Sequence, residues 1–206
     1  MSFLRQSTSF TRFHISEEIP HSFWEEFPSL LKQYAFIDID NTTQERSVGW
    51  VSFEDMLDTE FTHPYTIGEY VVFAWRIDTR RLSPAIFRKY YTLRVREELL
   101  LLEQQGKRFL TKDRKIELKE QTRAMLFSKI LPIPAHFEVV WDTRKNVLYF
   151  ASVQKKVVDS FAEYFMRSFS IEITPVTPLQ QAYIMLPSDR HHALEQLQST
   201  DFSRSI

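Results

Sequence analysis

Glu117-Leu118-Lys119 has the Glu-x-Lys form found in metal-dependent nucleases, where carboxylates hold magnesium and a lysine steadies the attacking water. Such a site also needs an aspartate on an adjacent strand. This triplet instead falls in a segment that reads as exposed helix, so the spacing predicts a solvated charged face and no catalysis. His191 and His192 are adjacent, and neighbours on a helix point about 100° apart, which suits a solvated surface pair better than two ligands of one metal. His63 precedes Pro64 without a serine, threonine or acid in a recognisable catalytic arrangement, and reads as a structural histidine hydrogen-bonded near a strand end. Trp50, Trp75 and Trp141 could stack on the bases of a single strand. Each lies among apolar neighbours in a predicted strand, so core packing is the expectation, while Trp24 fits either role. The chain is therefore expected to be no enzyme, with no catalytic residue, metal site or cofactor.

The remaining chemistry is cationic. Positions 80–129 carry fourteen basic residues: Arg80, Arg81, Arg88, Lys89, Arg94, Arg96, Lys107, Arg108, Lys112, Arg114, Lys115, Lys119, Arg123 and Lys129. Six acids oppose them, a net of +8, although the 206-residue chain as a whole is at -1, which leaves -9 elsewhere. A cationic element on an acidic body suits a polyanion, because each phosphate neutralised releases counterions while the body discourages indiscriminate adhesion. The expected DNA-contacting set is Arg88, Lys89, Lys107, Arg108, Lys112, Arg114, Lys115, Lys119 and Arg123. An acidic protein partner would suit the same charge, and long exposed helices also collect lysine and arginine for solubility. No zinc-finger spacing, aromatic-rich RNA-binding signature or helix-turn-helix is present, so base-specific reading is not expected.

Composition bounds the rest. With 43% hydrophobic and 26% charged residues, the chain is expected to fold around its own core. The absence of cysteine excludes a disulfide framework, a thiolate zinc site and a cysteine nucleophile, and fits a reducing cytoplasm. Only three glycines occur, Gly49, Gly68 and Gly106, isolated from each other, which argues against a phosphate-cradling loop. Positions 1–10 lack the apolar segment of a signal peptide, and no run approaches the length of a membrane span.

The elements that must position this charge can be read from periodicity. Strands are expected over 7–15, 36–40, 48–53, 69–78, 137–141, 147–151 and 170–174, with 70–75 central and covered on both faces. Helical spacing over 22–34 is interrupted by Pro28, predicting a kink or two short helices, and 153–169 reads as an amphipathic helix. Ser83-Pro84 begins a long helix that runs to about Gln105, with Gly106 at its end. Thr111 caps a second helix that continues to Ile130, stopped by Pro132 and Pro134, and its polar first half should stand clear of the core. A last short helix is expected over 188–198. The whole reads as α+β, antiparallel sheets with packed helices and a long projecting helical hairpin. It divides into a central α+β domain over 1–79 and 133–178, a basic hairpin over 80–132 and a short C-terminal segment over 179–206.

A family resemblance rests on a succession of short motifs: Gly49-Trp50-Val51, Thr62-His63, Leu82-Ser83-Pro84-Ala85-Ile86, Gly106-Lys107-Arg108-Phe109-Leu110-Thr111-Lys112, Leu118-Lys119-Glu120-Gln121, Ile130-Leu131-Pro132, Trp141-Asp142-Thr143 and Ala151-Ser152. Their order over 49–178 resembles the RdgC recombination-associated proteins, of which this would be a short or C-terminally truncated member. The resemblance implies a homodimeric ring around duplex DNA, bound with little sequence preference in the cytoplasm at the nucleoid, that restrains strand exchange by a RecA-type recombinase. By the same resemblance, Lys107 and Arg108 look like the basic pair near the hairpin bend, and Lys112 and Lys119 like basic positions of the second arm. Family members carry a phenylalanine soon after the Leu-Pro closing the hairpin, where two subunits meet. Here Phe137 is the candidate dimer contact, or else a strand residue of the core.

Overall fold

Alternation along 71–77 sends Val71, Phe73, Trp75 and Ile77 to one face of a strand, and all four belong to the main buried cluster. The computed structural model describes residues 8–104, 106 and 109–197. Among these, seven strands form one sheet: β1 (Thr11–His14), β2 (Arg46–Val51), β3 (Thr66–Ile67), β4 (Tyr70–Thr79), β5 (Ile133–Asp142), β6 (Val147–Phe150) and β7 (Thr174–Pro175). The order is β2-β4-β5-β6-β1-β7, with β3 beside β4, and the strand pairings are antiparallel. Helices α1 (His21–Gln33) and α4 (Lys155–Phe169) bury Phe27, Leu31, Val158, Phe161, Phe165 and Phe169 in the same cluster as the sheet's apolar face. Phe161 stacks on Phe150 at 3.9 Å, and Phe169 stacks on Trp50 at 5.4 Å. The fold is α+β, and all three core tryptophans are buried as expected.

The other face of β4 is covered too, so the strand is buried on both sides. Arg76 gives both Nε and Nη2 to Asp78 at 2.8 Å and Nη1 to the carbonyl of Met56, while its guanidinium lies 4.1 Å from the ring centroid of Phe36. Phe36 crosses directly over Gly49, where a Cβ would stand 2.2 Å from the Phe36 Cα. A side chain at 49 would push this covering segment off the sheet.

β4 and β5 pair along their whole length, from Tyr70↔Asp142 to Thr79↔Ile133. Residues 80–132 are thus one long excursion from the end of a β-ribbon. They form α2 (Pro84–Gln104) and α3 (Lys112–Phe127), which pack on each other. Gly106 has φ 76°, the left-handed conformation that closes a helix, and Thr111 caps α3 by accepting from the Arg114 N–H at 3.3 Å.

Several boundaries differ from expectation. Residues 36–40 form no strand: beyond the Ala35–Trp50 bridge, Asp38 takes the Asp40 N–H and Ile39 takes the Thr42 N–H, so local turns replace a ladder. Helix α1 runs unbroken through Pro28. Helix α3 ends at Phe127 rather than Ile130, and β5 starts four residues early, at Ile133. Of the strand expected over 170–174 only Thr174 pairs, because Ser170 is the left-handed cap of α4. Beyond it, α5 (Pro178–Met185) has a full capping box between Thr177 and Gln180 that the sequence reading missed. The helix expected over 188–198 is a 3-10 turn followed by α6 (His191–Glu195).

Candidate nucleic-acid interface

The hairpin is anchored by an arginine. Arg80, the first residue after β4, is 1% exposed, and its guanidinium gives four hydrogen bonds to backbone carbonyls. Nε donates to Ile130 at 2.6 Å, Nη1 to Gln44 at 2.6 Å, and Nη2 to Ile39 at 2.7 Å and Asp40 at 2.9 Å. One side chain therefore ties the start of the excursion, its return and the 39–44 turn together. Counted by sequence as part of the cationic arm, Arg80 is structural and presents no charge outward.

The two helices pack on each other, and Leu118, Thr122, Leu126 and Phe127 are buried on α3, while α2 has no fully buried residue. The Thr122 hydroxyl is satisfied by the Leu118 carbonyl at 2.6 Å. Between the arms, Arg114 donates to Glu98 at 2.7 Å, and within α3 it donates to Glu117 at 2.7 Å. Those bonds, Glu98 first, raise the arginine's pKa, and Arg114 in turn lowers that of Glu98. Arg123 reaches out of the arm to Glu45 at 2.6 Å.

The expected contact residues divide accordingly. Lys107 and Arg108 lie outside the described residues. Arg114 and Arg123 are held by carboxylates. Arg88, Lys89, Lys112, Lys115 and Lys119 are exposed and make no ion pair among the described residues. On α3, Lys112, Lys115, Lys119 and Arg123 recur at i, i+3, i+7 and i+11, and at about 100° per residue they fall within an arc of about 80°. That is one continuous cationic stripe. On α2, Arg88, Lys89 and Arg96 share a second face, around a shallow groove that includes Ala85, Thr92 and Leu93. Phe137 lies in β5, half-buried, with its ring centroid 6.3 Å from Trp75 and 5.6 Å from Phe150.

A family model described as "Putative exonuclease, RdgC" matches residues 9–186. The chain belongs to the RdgC family. No curated protein matches it.

In this RdgC chain the Glu-x-Lys triplet lies on α3, where Glu117 binds Arg114 and accepts from Gln121 at 2.9 Å. Among the described residues no group of three histidines or carboxylates could hold a metal. His63 donates its Nδ1–H to the Asp58 carboxylate, Oδ2, at 3.0 Å. Asp58 caps the loop through the backbone N–H groups of Thr62 and His63 and the Thr62 hydroxyl. Burial pushes the Asp58 carboxyl up, but these bonds outweigh it and hold it well below the usual carboxylate range, and the bond to Asp58 raises the His63 pKa. His191 is not a free surface residue, for its Nε2 lies 2.9 Å from the Tyr183 carbonyl and 3.0 Å from that of Leu186. Among the described residues no helix is long and apolar enough to cross a membrane.

Proposed function

We propose that this RdgC-family chain is a non-enzymatic, sequence-independent DNA-binding protein that acts in recombination or its regulation. It works as a homodimer that clamps or encircles duplex DNA at the nucleoid of the cytoplasm, with a RecA-type recombinase as a protein partner. The observation that carries the reading is the stripe of Lys112, Lys115 and Lys119: three exposed cations on one face of an arm, without carboxylate partners among the described residues. Unpaired cations in a row release counterions when they meet phosphates, which is the source of affinity without base readout. The body's excess of acid favours contact through the arm alone.

Retention of labelled duplexes of unrelated sequence, with magnesium present, tests this directly. Intact DNA retained equally for each sequence, in a complex whose native mass contains two protein chains, supports the reading. Failure to retain DNA, with capture of an acidic recombination protein instead, would make the hairpin a protein-docking module. Magnesium-dependent shortening of the DNA would restore the activity in the family's description.

A further inference from the structure

We propose that the cleft at the hairpin root holds one unstacked nucleotide of single-stranded DNA, its phosphate on Arg81, Lys119 and Arg123 and its base against Phe87. The inference rests on the DNA-binding reading and adds to it a substrate form and a subsite that shares Lys119 and Arg123 with the stripe on α3. The cleft encloses about 510 Å³ between the end of β4, the start of α2 and the last turns of α3. That volume lies within the range of small-ligand sites, about 300–1,000 Å³.

Its walls are of two kinds. Arg81 and Lys119 are exposed and make no ion pair among the described residues, whereas neighbouring Arg80, also in the lining, is buried and gives four of its five N–H groups to carbonyls. Phe87 and Phe127 complete the lining, with the Arg123 guanidinium 5.2 Å from the ring centroid of Phe127. Phe87 is half-buried and stacks nearly parallel on Tyr91, at 5.9 Å and 7°, so its ring plane is fixed before anything binds. A duplex meets a protein through its convex backbone with its bases stacked inside. Only an unpaired nucleotide can bring a base face and a phosphate into one concave site. Duplex DNA uses the stripe on α3, and the cleft is therefore selective for strands whose bases are free.

The cleft also contains a competitor. The Glu45 carboxylate holds Arg123 at 2.6 Å, and both side chains are more than half exposed. A phosphate entering the cleft must displace Glu45 from Arg123, so removing that carboxylate should tighten binding.

The full chain is titrated, by fluorescence anisotropy, into labelled oligothymidine and into a duplex of the same length. Phe87→Leu keeps an apolar side chain in the helix but removes the stacking surface. It should weaken oligothymidine binding about five-fold or more, the scale of base–aromatic stacking, and leave duplex affinity within about two-fold. Glu45→Gln should tighten oligothymidine binding about two- to five-fold. Loss of both affinities together in Phe87→Leu, or of neither, overturns the cleft. Should Phe87→Leu unfold, Glu45→Gln decides alone: oligothymidine binding should tighten more than duplex binding, and single-strand binding that is unchanged, weaker or tightened only as much as duplex binding overturns it. A parent chain that binds duplex but not oligothymidine removes only this inference, whereas one that binds neither removes the DNA reading beneath it.

Discussion

Replacing Arg80 with methionine keeps much of the side chain's length and removes its donors. Four hydrogen bonds from a buried guanidinium disappear, and the carbonyls of Ile39, Asp40, Gln44 and Ile130 each lose a donor, though Ile39 keeps Thr42. Bonds from a charged donor contribute about 1.5–3 kcal/mol each in mutational series. The arginine's own desolvation offsets part of that sum, and breaking a buried charged network costs about 3–5 kcal/mol in practice. Against a total stability of about 5–15 kcal/mol this is a large fraction. At about 2–4 °C per kcal/mol for a chain of this size, the midpoint should fall by roughly 6–20 °C. Arg80→Lys retains the charge but not the fork of donors, and should lie between parent and Arg80→Met. Urea unfolding followed by circular dichroism gives the free energies, and amide exchange shows whether loss of protection centres on 39–44 and 128–132. A loss below about 1 kcal/mol for Arg80→Met, or exchange that changes uniformly over the sheet, would refute the view that this side chain anchors the hairpin.

Gly49→Ala places a Cβ against the backbone of Ala35 and Phe36, which cannot yield as a flexible side chain would, so a loss of about 3 kcal/mol or more is expected in the same urea assay. Thr111→Ala should cost about 1 kcal/mol and speed amide exchange in the first turn of α3, while Thr111→Ser should not. The imidazole of His63 should titrate above the ordinary 6.5 by NMR and return toward it in Asp58→Asn. Because the folded His63 value is raised, its contribution to the 52–63 loop is complete below 6.5 and fades as pH rises through the folded value. Because that of Asp58 is lowered, its contribution is present above 3.8 and fades as pH falls, so loop exchange should be slowest between these limits.

Local signals in the sequence located most of the fold. Ser83-Pro84 and Thr111 mark where both arms begin, and the apolar alternation of 71–77 identifies the central strand. Residues 36–40 misled because strand-forming side chains sit beside Asp38, which turns the backbone, so that pairing with β2 stops at one parallel bridge in which Phe36 donates to the Trp50 carbonyl. The site was legible as a concentration of charge but not as a surface. Arg80 is removed from that surface by carbonyls 36–50 residues away, Arg114 by Glu98 on the opposite helix, and Arg123 by Glu45 on the sheet body. Those partners depend on how the hairpin folds back, which no charge count along the chain contains. The capping box of α5 was readable and was missed, since Thr177-Pro178 also reads as the end of a strand.

Duplex affinity measured against salt concentration, for the parent and for Lys112→Ala/Lys115→Ala/Lys119→Ala together, tests the cationic stripe most directly. Each phosphate contact contributes about 0.9 to the slope of log affinity against log salt. Removal of three contacts should flatten the slope by about 2.7, with unfolding by urea unchanged within about 1 kcal/mol because the three side chains are exposed. A triple variant that keeps the parent's slope and affinity would contradict the assignment of DNA contact to this face of α3.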